Sequence, residues 1–301
     1  MSTHRVTKNL LVGLPESGKS TFIAALWEVI RSFVVPGALH FVSLDGDDEY
    51  LNQIHQAWLR GEPMERTKVK SAIPVSIKLR NTTSKNEEVT ELILPDLDGE
   101  LIKRQWTRGE ITLDYDTHLQ EAAGVLFFVS ARNLREGNIL DPANEELADV
   151  IGKAREERDN NETAPKKKVE PLPFDPEKVP TQTMLIQLLQ FILRRSQIRK
   201  RWRIALIISA WDVVEEGRVT HSPEHWLREK LPLLSQFLQA NVEHFECQIY
   251  GISAQGGELK DEGKKKELAR FARHSERIIV IDGSKRNHDI TAPIKWLMSN
   301  G

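Results

Sequence analysis

The twelve residues from 10 to 21, LLVGLPESGKST, constrain this chain more than any other stretch. Gly13, Gly18, Lys19 and Ser20 stand in the spacing G-x-x-x-x-G-K-[ST]. Each position has a physical task. Gly13 lets the chain turn out of a strand, and Gly18 lets the backbone come close to a phosphate. The N–H groups along Glu16, Ser17, Gly18, Lys19, Ser20 and Thr21, at the start of a helix, then face an anion. Lys19 reaches the β- and γ-phosphates, and the Ser20 hydroxyl is placed for Mg²⁺. The flanks agree with this reading. NLLVGL, residues 9 to 14, is a short apolar run of the kind a buried central strand shows. STFIAALWEVIRSF repeats Phe22, Leu26, Val29, Ile30 and Phe33 at helical spacing.

Downstream, strands and helices alternate, which predicts an α/β protein. IPVSIKLR (73 to 80) alternates apolar residues, and EVTELILPD (88 to 96) is a second strand. The polar stretch NTTSKNEE that links them is too short for a parallel crossover, so this pair is an antiparallel hairpin. AAGVLFFVSA (122 to 131), WRIALIISA (202 to 210) and CQIYGIS (247 to 253) read as buried strands. RIIVIDG and APIKWLMS supply a last strand and helix. TQTMLIQLLQFILRRSQIRK is a helix burying Leu185, Leu188, Leu189 and Ile192, and Ser222-Pro223-Glu224 opens another with Ser as N-cap. The expectation is one three-layer domain over residues 1 to 301, with a mostly parallel sheet and one antiparallel edge strand. Insertions fall at 34 to 66 and 131 to 180, and the charged, proline-rich stretch 153 to 180 reads as flexible.

Composition excludes several classes. A formal net charge of -2 gives no bulk attraction to nucleic acid or an anionic membrane, so nucleic acid is not an expected partner. Cys247 is the only cysteine, which rules out an intrachain disulfide and a cysteine metal site. No apolar run reaches the ~18 residues that span a bilayer, and the N-terminus, MSTHRVTKNLLVG, runs almost directly into the motif, leaving no room for a signal peptide. The expected location is cytoplasmic, with no membrane partner.

Three further segments carry chemistry. In LPDLDGE (94 to 100) an apolar strand ends in Asp96, beside the loop, where a carboxylate can hold Mg²⁺ through water. Gly99 leaves an N–H free to approach a γ-phosphate. Alone, D-x-x-G is also an ordinary turn. In SAWD, Asp212 follows a strand and can accept hydrogen bonds from the N1–H and 2-amino groups of guanine, which adenine does not offer. GISAQGG closes another strand with Ser253 and Ala254, and by itself is equally a small-residue turn.

Taken in this order, the four segments resemble the Ras-like GTPases of the TRAFAC class: a phosphate loop, a D-x-x-G switch, an N/T-K-x-D base reader and an S-A-K base loop. The hairpin agrees with that class. The resemblance implies that Thr67, in GEPMERT, completes the Mg²⁺ shell with Ser20 and Asp96, and that Lys19, Thr67, Gly99 and Glu100 serve catalysis. It also implies that Trp211, Asp212, Ser253 and Ala254 meet the base. GLPESGKSTFIAALW, DDEYLNQIHQAWLRGEPMERT and DITAPIKWLM look more closely like the bacterial double-GTPases of conflict or defence systems. Two departures matter. Ser209-Ala210-Trp211 replaces the usual base-reader residues, and the Trp211 ring could cover a base face. Glu100 stands where the class has a water-orienting glutamine, which implies slow or partner-stimulated turnover.

The resemblance thus implies a Mg²⁺-dependent hydrolase of GTP to GDP and phosphate, acting as a nucleotide switch with a protein partner. The alternatives are a nucleotide-binding interaction module with negligible turnover, or a P-loop ATPase. Arg60 and Arg66 and Lys264 to Lys266 read as solvated charge, and the basic run Arg194 to Arg203 as a cationic helix end. His221 and His225 have a metal-like spacing, but Pro223 starts a helix between them, so they need not share a face; Trp58 and Trp106 read as packing residues.

Overall fold

A computed structural model describes residues 6–62, 75–82, 88–95, 104–105, 107–135, 179–195, 201–217, 222–259 and 261–299. Residues Met1–Leu134 with Gln182–Gly301 form one compact unit, and Arg135–Thr181 a second. Of the second unit, Arg135 and residues 179–181 are described; the Arg135 N–H donates to Thr181 Oγ1 (2.8 Å) and the Thr181 N–H to the Arg135 carbonyl (3.0 Å). Of the expected flexible stretch 153–180, residues 153–178 lie outside the described residues.

The larger unit is built on a nine-stranded sheet of order β2-β3-β4-β1-β5-β6-β7-β8-β9. The strands are β1 (Thr7–Gly13), β2 (His40–Asp45), β3 (Val75–Asn81), β4 (Glu88–Leu94), β5 (Gly124–Ser130), β6 (Trp202–Ser209), β7 (Phe245–Ser253), β8 (Ile279–Asp282) and β9 (Lys285–Asn287). From β4 through β1, β5 and β6 to β7 all pairings are parallel. The β3–β4 hairpin is antiparallel in register Val75↔Leu94 through Asn81↔Glu88, as the short polar link requires.

The predicted fold class holds, with one correction at the margins. The antiparallel strand β3 is not the edge, because β2 pairs antiparallel outside it. At the far side β8 and β9 add two further antiparallel pairings. The stretch expected as an insertion from 34 to 66 contains β2 and the helix α2 (Asp48–Arg60). The end signals of α2 can be read in its sequence. Asp47 caps α2 by accepting the Tyr50 N–H at 3.1 Å, and Gly61 ends it in the left-handed region with φ 62°. Strand β2 has a mixed half-buried pattern without alternation, as an edge strand facing solvent permits.

Helices cover both faces. On one side pack α1 (Lys19–Ser32), α2 and the last helix, α9 (Ala292–Met298), against Leu11, Ile77, Leu92, Leu126, Phe128 and Ile207. On the other pack α3 (Leu113–Glu121), α4 (Thr181–Arg195), α6 (Pro223–Lys230) and α7 (Pro232–Ala240), against Leu10, Val12, Val125, Phe127, Ile204 and Leu206. Two short helices, α5 (Trp211–Glu216) and α8 (Glu262–Leu268), follow β6 and β7. The period-2 side-chain alternation explains the split: Leu10 and Val12 of β1 go to one core, Leu11 to the other. The predicted α4 face of Leu185, Leu188, Leu189 and Ile192 is buried, and Ser222 caps α6 by accepting the His225 N–H. No helix among the described residues is long and apolar enough to cross a membrane.

This topology sets the site. Gly13, Ser130, Ser209 and Ser253 end β1, β5, β6 and β7, so four parallel strands deliver their C-terminal residues to one edge of the sheet. Ligands of open α/β sheets bind outside that edge.

Candidate functional site

The loop after β1 has the geometry its sequence demands. Gly18 caps α1 at φ 86°, a left-handed value that side chains disfavour. A Cβ there would also meet Ser209 Oγ at 2.8 Å. At Gly13 a Cβ would lie 2.8 Å from both Phe128 Cβ and Ser17 Oγ, so this glycine serves close approach between β1, β5 and the loop. Glu16 adds a second left-handed residue at φ 60°. Successive turns of this kind aim backbone N–H groups into a concavity at the α1 N-terminus, a built-in anion site.

Lys19 is 8% exposed and folds over the loop. Its ammonium donates to the Gly13 carbonyl (2.9 Å), the Leu14 carbonyl (2.6 Å) and Ser17 Oγ (3.2 Å). Burial pushes its pKa down from 10.5 to about 7. An anion in the cradle would restore the charged form, since an opposite charge nearby favours ionisation. Ser20 and Thr21 are half-buried on the first turn of α1.

The loop is tied to the next strands. The Ser209 hydroxyl donates to the Ser17 carbonyl at 2.8 Å, so the end of β6 fixes the cradle. Sequence reasoning treated Ser209 only as a departure from Asn or Thr; its hydroxyl forms the cross-link that positions the loop.

Beside the loop opens a cavity of about 270 Å³, near the small end of ligand pockets. Gly18 and Thr21 line it at the phosphate side; Asp212, Ser253, Ala254 and Gln255 line it further along. The Asp212 side chain retains only 7% exposure. Its Oδ1 accepts the Ser253 hydroxyl at 2.6 Å, and the Gly256 N–H donates to that same hydroxyl at 3.0 Å. Its Oδ2 accepts Arg132 Nη2 at 3.2 Å. Arg132, two residues past β5, also lines the cavity and reaches Glu258 Oε1 with Nη1 at 2.9 Å. Nothing in the local sequence around Arg132 announced this, because its partner lies 80 positions away.

Ala254 meets the cavity and turns its carbonyl to the Trp58 indole N–H at 2.9 Å. Trp58, fully buried on α2, is covered by the Arg277 guanidinium 4.0 Å from its ring. The packing role expected for Trp58 therefore comes with an anchoring role for the loop after β7.

Trp211 requires a correction. It does not face the cavity. The ring is 2% exposed and packs in the core with Trp226, at 6.5 Å between centroids. Gly251 of β7 makes the room, since a Cβ there would sit 2.3 Å from the Trp211 ring. Ala210, at φ 55°, turns the chain so that Asp212 faces the cavity and its neighbour the core. Covering a base face is thus not a role this tryptophan can take. Of the remaining expected residues, Thr67, Asp96, Gly99 and Glu100 lie outside the described residues, as do Arg66, Trp106 and His221. Arg60 is exposed and pairs with Glu62 at 2.9 Å. His225 lies 3.8 Å from Glu229, one turn along α6.

Among solved structures, similarity extends to the Ski7 GTPase-like domain of S. cerevisiae bound to GTP (12% identity, 85% of this chain and 44% of that one, TM-score 0.41). It also extends to the signal recognition particle receptor SRb-GTP/SRX complex of Chaetomium thermophilum (13% identity, 83% and 91%, TM-score 0.36). A third is Roco2 RocCORdC of Methanosarcina barkeri bound to GDP (12% identity, 88% and 48%, TM-score 0.31). The chain spans less than half of the Ski7 chain it matches. No curated protein matches it. A family model, Double-GTPase 1, matches residues 10–297, nearly the whole chain. The chain belongs to the Double-GTPase 1 family.

Proposed function

We propose that the cavity binds a guanine nucleotide and that the protein hydrolyses GTP to GDP and phosphate as a nucleotide-dependent switch. One observation carries the base assignment: the nearly buried carboxylate of Asp212, lining the same cavity as the Gly18 loop and oriented by Ser253. An ionised carboxylate only accepts, which suits the N1–H and 2-amino donors of guanine. At the other end Lys19 exchanges its loop carbonyls for β- and γ-phosphate oxygens.

Ser20, on the first turn of α1, has a half-buried hydroxyl with no hydrogen-bond partner among the described residues, which suits it to a hard cation. Asp96 and Thr67 are proposed to join it. When bound there, Mg²⁺ supplies charge neutralisation on the β- and γ-oxygens. Gly99 and Glu100 are proposed next to the γ-phosphate and the attacking water, with Thr67 and Gly99 segments ordering around the third phosphate. A protein partner and a role in bacterial conflict or defence are part of the same proposal, carried by the resemblance to the bacterial double-GTPases.

Asp212→Asn tests the base reading. The amide turns one acceptor into a donor facing the 2-amino group, a mismatch costing ~1–3 kcal/mol, or roughly tenfold to over a hundredfold in affinity. Xanthine carries an acceptor there, so GTP binding should weaken while XTP binding strengthens. Equal wild-type affinity for ATP and GTP would overturn the assignment. Glu100 favours a second reading, an interaction module with negligible turnover, because its charge repels the γ-phosphate. Single-turnover hydrolysis measured with purified protein separates the two.

A further inference from the structure

Asp212 faces a cation as well as the open cavity. The guanidinium of Arg132 bridges Asp212 Oδ2 at 3.2 Å and Glu258 Oε1 at 2.9 Å, and all three residues line the cavity. Asp212 Oδ1 already accepts the Ser253 hydroxyl. A guanine edge presents two parallel N–H donors and needs both carboxylate oxygens from the open side. Arg132 lines the same cavity and holds Oδ2, and the Asp212 side chain is only 7% exposed, so base and guanidinium meet the same oxygen. Two donors of different origin then compete for one acceptor.

We propose that Arg132 is a specificity-determining residue that competes with guanine for Asp212, so that the base enters by displacing Arg132 and leaving it on Glu258. The inference rests on Asp212 as base reader. The exchange is feasible on three grounds. Arg132 is one-third exposed (34%), so its head can swing without unpacking the core. Glu258 is more exposed still, at 46%, and keeps the guanidinium paired when Asp212 is taken over. The lost pair is partly solvated, and such pairs contribute modestly, so a base that offers two donors can win. The arrangement also sharpens base choice. Adenine offers no such donors to Asp212, so it cannot replace Arg132, and the carboxylate stays satisfied without it.

The linkage has a clear sign. Removing Arg132 raises the free energy of the protein without a base, because Asp212 loses a donor, and leaves the guanine-bound state little changed. Guanine affinity must therefore rise. Isothermal titration of the full chain with GDP and ADP reads this directly. Arg132→Ala is expected to tighten GDP by roughly three- to tenfold and leave ADP unchanged. Arg132→Gln, which keeps the stem and a polar head, is expected to behave likewise and serves if the alanine variant fails to fold. In an Asp212→Asn background the Arg132 effect should disappear, the signature of direct coupling. GDP and ADP weakened alike would mean that Arg132 covers the base face, and would overturn the proposal. Unchanged GDP affinity in both Arg132 variants, with Asp212→Asn still impairing GDP, would overturn it and leave the base reading intact. GDP binding indifferent to both Asp212→Asn and Arg132→Ala would remove the base reading and the proposal together.

Discussion

Replacing Lys19 with Met separates what the loop lysine does for binding from what it does to the fold. In the wild type the ammonium is buried, with a pKa pushed down from 10.5 to about 7. That fall corresponds to ~5 kcal/mol of disfavoured charge at low pH, an upper bound because the Gly13 and Leu14 carbonyls and Ser17 Oγ solvate the ammonium in part. Between about pH 7 and 10.5 the unfolded chain holds the Lys19 proton and the folded chain has released it. Stability therefore rises with pH across this window, by at most ~1.4 kcal/mol per pH unit from this group. Below the window the penalty is complete and the slope vanishes. Lys19→Met lacks the term altogether, although it strands the three oxygens at ~1–3 kcal/mol. Urea unfolding of nucleotide-stripped protein at pH 7.5 and 9.5 should show wild type gaining on the variant by about 1 to 2.7 kcal/mol. Nucleotide should reverse the titration. GDP binding at pH 8.5, measured calorimetrically in HEPES and in Tris, should take up close to one proton in wild type and none through this position in Lys19→Met, whose affinity should collapse. A stability difference that stays flat from pH 7.5 to 9.5 would refute the argument, since it would mean the ammonium remains fully charged in its folded position.

Two further substitutions probe the scaffold around the site. Gly18→Ala forces an alanine to φ 86° and a Cβ to 2.8 Å from Ser209 Oγ, so a loss of ~2–3 kcal/mol in urea unfolding and impaired nucleotide binding are expected. A cost under ~0.5 kcal/mol would mean the loop adopts another backbone path. Trp58→Phe removes the indole donor to the Ala254 carbonyl and much of the Arg277 stacking, for a loss of ~2–3 kcal/mol. Its specific readout is faster hydrogen exchange at residues 253–257, while exchange in the Gly18 loop stays as in wild type; uniform acceleration in both places would point to general destabilisation.

What could be read from the sequence was what lies within one turn or strand of itself. The loop from Gly13 to Ser20 is legible because its glycine, lysine and hydroxyl spacing and the helix start are all carried within eight residues, although the close contacts at Gly13 and Gly18 also involve Phe128 and Ser209 from other strands. The same holds for the β3–β4 hairpin, whose short link forbids a crossover, and for the Ser222 cap. Strand β2 was not legible, because an edge strand with solvent on it has no strong periodicity to read. The direction of Trp211 was decided by Gly251, forty residues away, which leaves a ring-sized space in the core beneath β7. Asp212 looked like a free acceptor in the sequence. Only the parallel pairing of β5, β6 and β7 brings Arg132 and Ser253 to its two oxygens and Glu258 behind them. Local chemistry thus named the phosphate cradle, whereas the electrostatics of the base end depend on charges from separate strand ends, which the chain sequence does not place side by side until the sheet forms.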